Sequence, residues 1–337
     1  GADAEEITGA GVGLGVTIPA AGEGQRLRPH TLRKPKVMLE VAGKPIIGHI
    51  LDRVSRLNPD RIWVVVPPGD EWISSYLQAS YRMSFEFVVQ PEPRGLGHAV
   101  WCAGADRAGL PLLILLGDTI VDFDFQLMFQ ADYSIGVKEV SDPSRFGVVL
   151  VENGVVSRVI EKPREPVSRL AIVGIYYFRE PKFLYQSLER LIAENRMIKG
   201  EYQFTDALQF LANQGAGIRT VDVDVWLDCG TPEALLETNR LLLERQKTAL
   251  PELNTVRIVP PVFIAPDARI ERSEIGPYVS VSVGAQISGS VVKDSLIYHG
   301  ARVANCRLSG AIVGEDAEVR GVDGAVNVGP RVHLARG

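Results

Sequence analysis

Between Gly22 and Lys36 the chain reads GEGQRLRPHTLRKPK, two glycines followed by Arg26, Arg28, Arg33, Lys34 and Lys36. Glycines at 22 and 24 carry no Cβ, so the backbone can turn sharply there and approach a ligand. Amides freed in such a turn, backed by several cations, suit a polyphosphate. The bland reading of the same letters is a surface turn with solvated charges, and only context decides between the two. Carboxylates are the next candidates. Asp118 ends the apolar run PLLILLGD, where an unpaired carboxylate is costly. Mg²⁺, which prefers oxygen ligands, is one partner for it; capping is the other use of such a residue. Asp228, in WLDCGTPE, is open to the same two uses, and the helix start at Thr231-Pro232 makes capping a real competitor. Glu161 and Lys162 are adjacent at a strand end, which sends their side chains to different sides. No Ser/His/Asp or Cys/His set stands out.

The totals bound what these residues can belong to. A length of 337 residues allows about two domains. An apolar fraction of 46% with 23% charged residues is that of an ordinary globular protein. A net charge of −5 argues against broad attraction to nucleic acid or to a membrane, and no apolar run approaches the ~20 residues of a membrane span. Cys102, Cys229 and Cys306 are too few and too scattered for a disulfide framework or a cysteine metal site. The first fifteen residues, GADAEEITGAGVGLG, have neither a basic start nor an apolar core, so they read as a Gly/Ala-rich leader, in part an expression remnant. The expected setting is a reducing cytoplasm.

Elements that could position the candidates follow in order. Val16-Thr17-Ile18 starts a strand. Pro45 and IIGHILDRVSRL have helical spacing, with the proline in the first turn. RIWVVV at 61–66 suits a buried parallel strand, 70–81 a helix, and FEFVV at 85–89 a third strand. A helix opens at Gly95 and runs through Ala105, and 111–116 is a fourth strand. Alternation of this kind means an α/β domain with a mainly parallel sheet, whose ligands bind at the carboxyl ends of the strands. Short β segments at 133–140, 145–152, 155–161 and 171–178 should extend or flank the sheet. Helices near 180–194 and 203–213, a strand near 217–223 and a helix from Thr231 to Gln246 follow. From about residue 257, aliphatic residues recur at every sixth position, as in VGAQI and VGEDAEV, which is the mark of a hexapeptide β-helix; about 80 residues give roughly four coils of about 18.

GEGQRLRP with Lys36, QPEPRGLGHA, LLGD, Glu161-Lys162-Pro163 and WLDCGTPE occur in that order, and with them the chain resembles the sugar-phosphate nucleotidylyltransferase family. Its nearest branch is the long thymidylyltransferase form, which also carries a hexapeptide β-helix. The resemblance runs from Val16 onward. It implies a Rossmann-like, mixed but mainly parallel nucleotidyltransferase domain over 16–250, then a short left-handed parallel β-helix over 257–337. It also implies an enzyme that joins a nucleoside triphosphate to a sugar 1-phosphate, with Mg²⁺ as cofactor and a homo-oligomeric state. dTTP and glucose 1-phosphate are the favoured pair, with UTP as the alternative.

Residue roles come with the resemblance. Arg26, Lys36 and Lys162 take the catalytic phosphate-binding positions, and Ala21, Gly22, Gly24, Gln90 and Gly95 the nucleotide positions. Gly147, Glu161, Lys162, Gly174, Lys199 and Trp226 face the sugar phosphate, although Gly147 reads equally as a hairpin glycine. Asp118 and Asp228 share the metal. The amide of Gln90 both donates and accepts, which matches the edge of a pyrimidine. A phosphate nucleophile is already ionised near neutral pH, so in-line positioning and charge neutralisation are required and a general base is not. Gln25 stands where Thr is common, and Glu40 where Pro is usual. His98 reads as a helix-face or capping residue and Cys229 as small packing. Two rival uses of the fold are an acyltransferase site on the β-helix, through His299 or His333, and a non-catalytic regulatory subunit.

Overall fold

A computed structural model describes residues 13–336. Most of the expected leader therefore lies outside the described residues, and Gly15 already belongs to the first strand, Gly15–Pro19. The chain divides into two compact units, one formed by residues up to Gly22 with His49–Trp226, the other by Glu23–Gly48 with Leu227 onward.

The first unit is built on a nine-stranded mixed sheet. Its parallel part sets Leu112–Leu115 beside Gly15–Pro19, then Arg61–Val66 and Phe85–Val89. Ile62, Val64, Val65, Ile114 and their neighbours are wholly buried, as continuous β-branched runs require when both faces of a sheet are covered. Leu170–Phe178 adds antiparallel to Leu112–Leu115, and the hairpin Gly147–Glu152 with Val155–Glu161 extends the same edge. Tyr133–Glu139 and Arg219–Asp222 form a branch from Leu170–Phe178. Helices Leu96–Ala103, Pro181–Ala193 and Phe204–Asn213 pack into the main core through Val100, Leu184, Leu188, Leu208 and Leu211.

In the second unit, three five-stranded parallel sheets make the β-helix. Val279 pairs with Val262 and with Ser295, so coils are 17 and 16 residues long and five strands stack on each face where about four coils were expected. Val262, Val279, Ile297, Val313 and Val328 line the interior. Two faces show the ordinary alternation, as in Arg269–Glu271, where only Ile270 is buried. The third face does not. Its outward residues stand in register as a column, Phe263, Ser280, Leu296, Ile312 and Asn327, and Ser280, Leu296 and Ile312 are 4%, 1% and 1% exposed.

The cover for that face comes from the rest of the same unit. Helix Pro232–Arg245, capped by the Thr231 hydroxyl on the Ala234 amide, places Asn239 so that its Oδ1 accepts from Ser280 Oγ at 2.6 Å and from the Ala42 amide at 2.8 Å. Residues 23–48 supply the remainder. They contain two 3₁₀ turns, Gln25–Leu27 and Lys36–Met38, and a two-residue hairpin, Glu40–Val41 with Lys44–Pro45. Pro45 thus ends a small strand instead of opening the next helix, Ile46–Ser55. Ala42 and Gly43 both take positive φ, the turn that a tight hairpin needs.

Because Leu296 is buried by this cover as fully as a core residue, Leu296→Ala should destabilise the protein by about 2–4 kcal/mol in denaturant unfolding. Lys293→Ala, on an exposed position of the neighbouring strand, should stay within about 0.5 kcal/mol of wild type.

Candidate active site

In the first unit the candidate residues fall along one edge of the sheet. Gln90 follows Phe85–Val89, and its amide donates to Val66 O at 2.9 Å. Ala21 and Gly22 follow Gly15–Pro19, and Asp118 follows Leu112–Leu115; Gly117 N donates to Pro19 O at 2.9 Å, holding those two strand ends together. Gly174 sits where the register of Leu170–Phe178 shifts, with φ of +96°, and its carbonyl accepts from the Leu116 amide. A Cβ there would come within 2.7 Å of Leu116 Cδ1, so both the conformation and the space call for glycine. Beyond it, Gly147 pairs directly with Glu161.

Around Gly147 the sugar-side candidates gather. A Cβ on Gly147 would lie 3.1 Å from Glu161 Oε2 and 3.2 Å from Thr205 Cγ2. Its absence is what opens the Glu161 carboxylate. Lys162 leaves the strand in the left-handed region, its amide donating to Phe146 O. Phe146 in turn meets Trp226 edge to face, ring centroids 4.7 Å apart. Lys199 is exposed at the tip of a tight turn closed by Ile198 and Glu201; Tyr202, next in the chain, donates to Arg94 O, which places that turn against the Gly95 loop.

Gln90 is 6% exposed. Its Nε2 donates to Gly95 O at 3.2 Å and to His98 Nδ1 at 3.0 Å, so the amide is held in one orientation. His98 does not cap its helix; it lies on the buried face of that helix, stacked on Trp101 and Tyr202. Burial, then the nearby Arg94 charge, hold its pKa below the usual histidine value, which keeps the ring neutral and able to accept.

The second unit holds the basic loop and Asp228. Gly24 has φ of +61°, and a Cβ on it would sit 2.9 Å from Lys36 Cβ and 3.0 Å from Thr31 Cγ2. The loop therefore closes on itself, with the Thr31 hydroxyl donating to Gly24 O at 2.6 Å. Leu27 is fully buried while Arg26, Arg28 and Arg33 are exposed. Gln25 donates to Glu23, a local contact that accounts for the side chain at this position. Asp228 accepts from the Gly230 amide at 3.0 Å, a turn contact, whereas Thr231 caps the following helix. Cys229 is buried beside Thr238, in keeping with a packing role.

No group of three or more His, Cys, Asp or Glu side chains suited to a metal occurs among the described residues. Asp118 and Asp228 are each half-buried. One or two such carboxylates suit Mg²⁺, which takes its other ligands from water and substrate phosphates, and do not suit a metal that needs an all-protein cage. No helix among the described residues is long and apolar enough to cross a membrane. His299 and His333 are both exposed on the β-helix, with His333 Nδ1 3.4 Å from Glu318.

The nucleotidyl transferase family profile matches residues 16–245. The chain belongs to the nucleotidyl transferase family. Among similar proteins, the bifunctional protein GlmU of Methanocaldococcus jannaschii is 35% identical over 234 residues, 68% of this chain and 55% of its own. The chain thus spans about half the length of that relative. UTP–glucose-1-phosphate uridylyltransferase AglF of Haloferax volcanii is 34% identical over 243 residues, covering 69% of this chain and 98% of the relative. Glucose-1-phosphate thymidylyltransferase of Streptomyces griseus is 28% identical over 332 residues, covering 90% and 92%.

Two residues of this nucleotidyl transferase carry more than their sequence context disclosed. His98 supports Gln90, and the only hint was its place in GLGHA at the start of a helix. Glu40, without a sequence rationale, accepts from Ser282 Oγ at 2.7 Å. Burial raises the pKa of Glu161 above the usual carboxylate value, with Lys162 opposing. A raised folded-state pKa means that the native state binds the proton more tightly, so stability is lost as pH climbs from about 4.5 through the raised value. Glu161→Gln should remove that loss. Its melting temperature relative to wild type should rise as pH is raised from about 4.5, and a difference that does not change with pH would contradict this environment for Glu161.

Proposed function

We propose that the chain transfers a nucleotidyl group from a nucleoside triphosphate to a sugar 1-phosphate and releases pyrophosphate, with dTTP and glucose 1-phosphate as the favoured pair. The observation that supports this most is the order of residues along the sheet edge. Glu161 and Gly147, then Gly174, Asp118, Ala21 and Gln90 follow one another across the sheet, with Arg61–Val66 between the strands that lead to the last two. That is the order of parts in a nucleotide sugar: sugar, phosphates, base. An extended ligand laid across the carboxyl ends of the strands would meet each residue once.

In this reading a phosphate oxygen of the sugar 1-phosphate attacks the α-phosphorus in line, the bond to the β-phosphate oxygen breaks, and pyrophosphate leaves. The nucleophile is ionised beforehand, so the protein positions and neutralises charge. Gln90, fixed by His98, presents one face to the base. Arg26 and Lys36 take the triphosphate; a guanidinium fork suits bidentate phosphate contact. Glu161 accepts from sugar hydroxyls beside Gly147, and Lys162 takes the sugar phosphate, with Trp226 and Lys199 further out. Asp118 and Asp228 supply carboxylates for Mg²⁺, which when bound adds positive charge at the α-phosphate. The relatives act on both UTP and glucose 1-phosphate or carry a thymidylyltransferase name, and one methyl separates thymine from uracil, worth only about 1–3 kcal/mol.

Pyrophosphate release with Mg²⁺, glucose 1-phosphate and each of dTTP, UTP, GTP, CTP and ATP tests the reading, and no turnover with any pair would end it. Asp118→Asn should lower kcat by at least about a hundredfold with the fold intact by circular dichroism. Lys162→Ala should raise KM for the sugar 1-phosphate by about tenfold or more while leaving KM for the triphosphate nearly unchanged; the reverse pattern would reassign the lysine.

A further inference from the structure

The stretch from Pro29 to Gly43, which contains Lys36, is fastened to the β-helix at every coil. Gly43 lies against Phe263, the first member of the outward column, so closely that a Cβ would be 2.6 Å from the ring. Glu40 accepts from Ser282, which follows the second strand of that face. His30 meets Tyr298, after the third strand, edge to face at 6.0 Å. Lys34 pairs with Glu315 at 3.0 Å, after the fourth. At the fifth, His30 Nε2 lies 2.6 Å from Asn327 Oδ1, and Pro29 packs on Gly329. An amide oxygen only accepts, so Nε2 carries the proton. Burial lowers the pKa of His30, which keeps the ring neutral near pH 7. From His30 the path to the cations is short: Thr31 is next in the chain, its hydroxyl holds Gly24 O, and Gly24 touches Lys36.

We propose that the β-helix positions the cationic loop for the triphosphate, with Asn327 and Ser282 as positioning residues that act through His30 and Glu40 on Arg26 and Lys36. This rests on the loop being the triphosphate site, as proposed above. A loop held in its binding shape beforehand spares the ligand the ordering of that backbone, which appears as tighter binding of that ligand alone. Neither Asn327 nor Ser282 touches substrate in this account.

The test uses the full chain and begins with wild-type turnover, since absence of any turnover ends the underlying reading. Asn327→Leu and, separately, Ser282→Ala should each raise KM for the triphosphate by about three- to tenfold, the worth of one lost hydrogen bond, with KM for the sugar 1-phosphate within about twofold. Asn327→Asp, which keeps an acceptor oxygen opposite His30, should restore the wild-type value. Limited trypsin digestion read by mass spectrometry should show faster cleavage after Arg26 and Arg33 in Asn327→Leu at an unchanged melting temperature. Unchanged KM for the triphosphate in both variants overturns the proposal while leaving the function standing. Faster cleavage with unchanged KM overturns it as well, leaving a structural contact only.

Discussion

An outward-facing strand residue that is apolar must be covered, and in the β-helix the column Phe263, Leu296 and Ile312 imposes that demand on one face out of three. Much of the second unit is a response to it. Helix Pro232–Arg245 brings Asn239 to Ser280, and residues 23–48 leave the sheet they follow in sequence to lie on the same face. Each buried outward side chain of this size is worth about 1.5–3 kcal/mol in removed apolar surface, whereas the surrounding contacts, such as Lys34 with Glu315, are partly exposed and contribute little. Apolar burial thus holds the cover, and polar pairs fix its register.

The first unit obeys a different constraint. Parallel strands end together, and whatever follows them is brought to one edge. Gln90, Ala21 and Asp118 are there because three strands stop at the same level, and Gly174 joins them through a bulge. Polar side chains at such an edge stay useful only if each is steered. His98 does so for Gln90 by accepting from its amide, and Gly147 does so for Glu161 by leaving space in front of the carboxylate.

The strands of the nine-stranded sheet, the β-helix and the helix cap at Thr231 were legible in the sequence, because period and punctuation are local signals that neighbouring residues share; the four-residue strands Thr119–Asp122 and Val225–Asp228 were not. The hairpin Glu40–Val41 with Lys44–Pro45 was not: Ala42-Gly43 is a weaker turn signal than Asn-Gly, and two-residue strands have no period to read. The coil count fell short because coils of 16 and 17 residues are tighter than the ideal hexapeptide triplet of about 18. His98 read only as a helix-face or capping residue since its acceptor role depends on Gln90, eight residues away and across a turn. Glu40 was opaque for a plainer reason. Its partner Ser282 lies 242 residues further on, and no window of sequence joins them.

The bond between His30 and Asn327 spans 297 residues. On a ribosome the cationic loop is made 297 residues ahead of its last anchor, and synthesis runs at about 5–20 residues per second. For some tens of seconds the loop has no platform, while its polar and basic composition keeps it soluble in the meantime. The strands of the mixed sheet can pair as they appear, but the loop is anchored only when the coil that carries Asn327 is wound. For these residues synthesis runs well ahead of completion, and the loop finds its place only after the coil made 297 residues later.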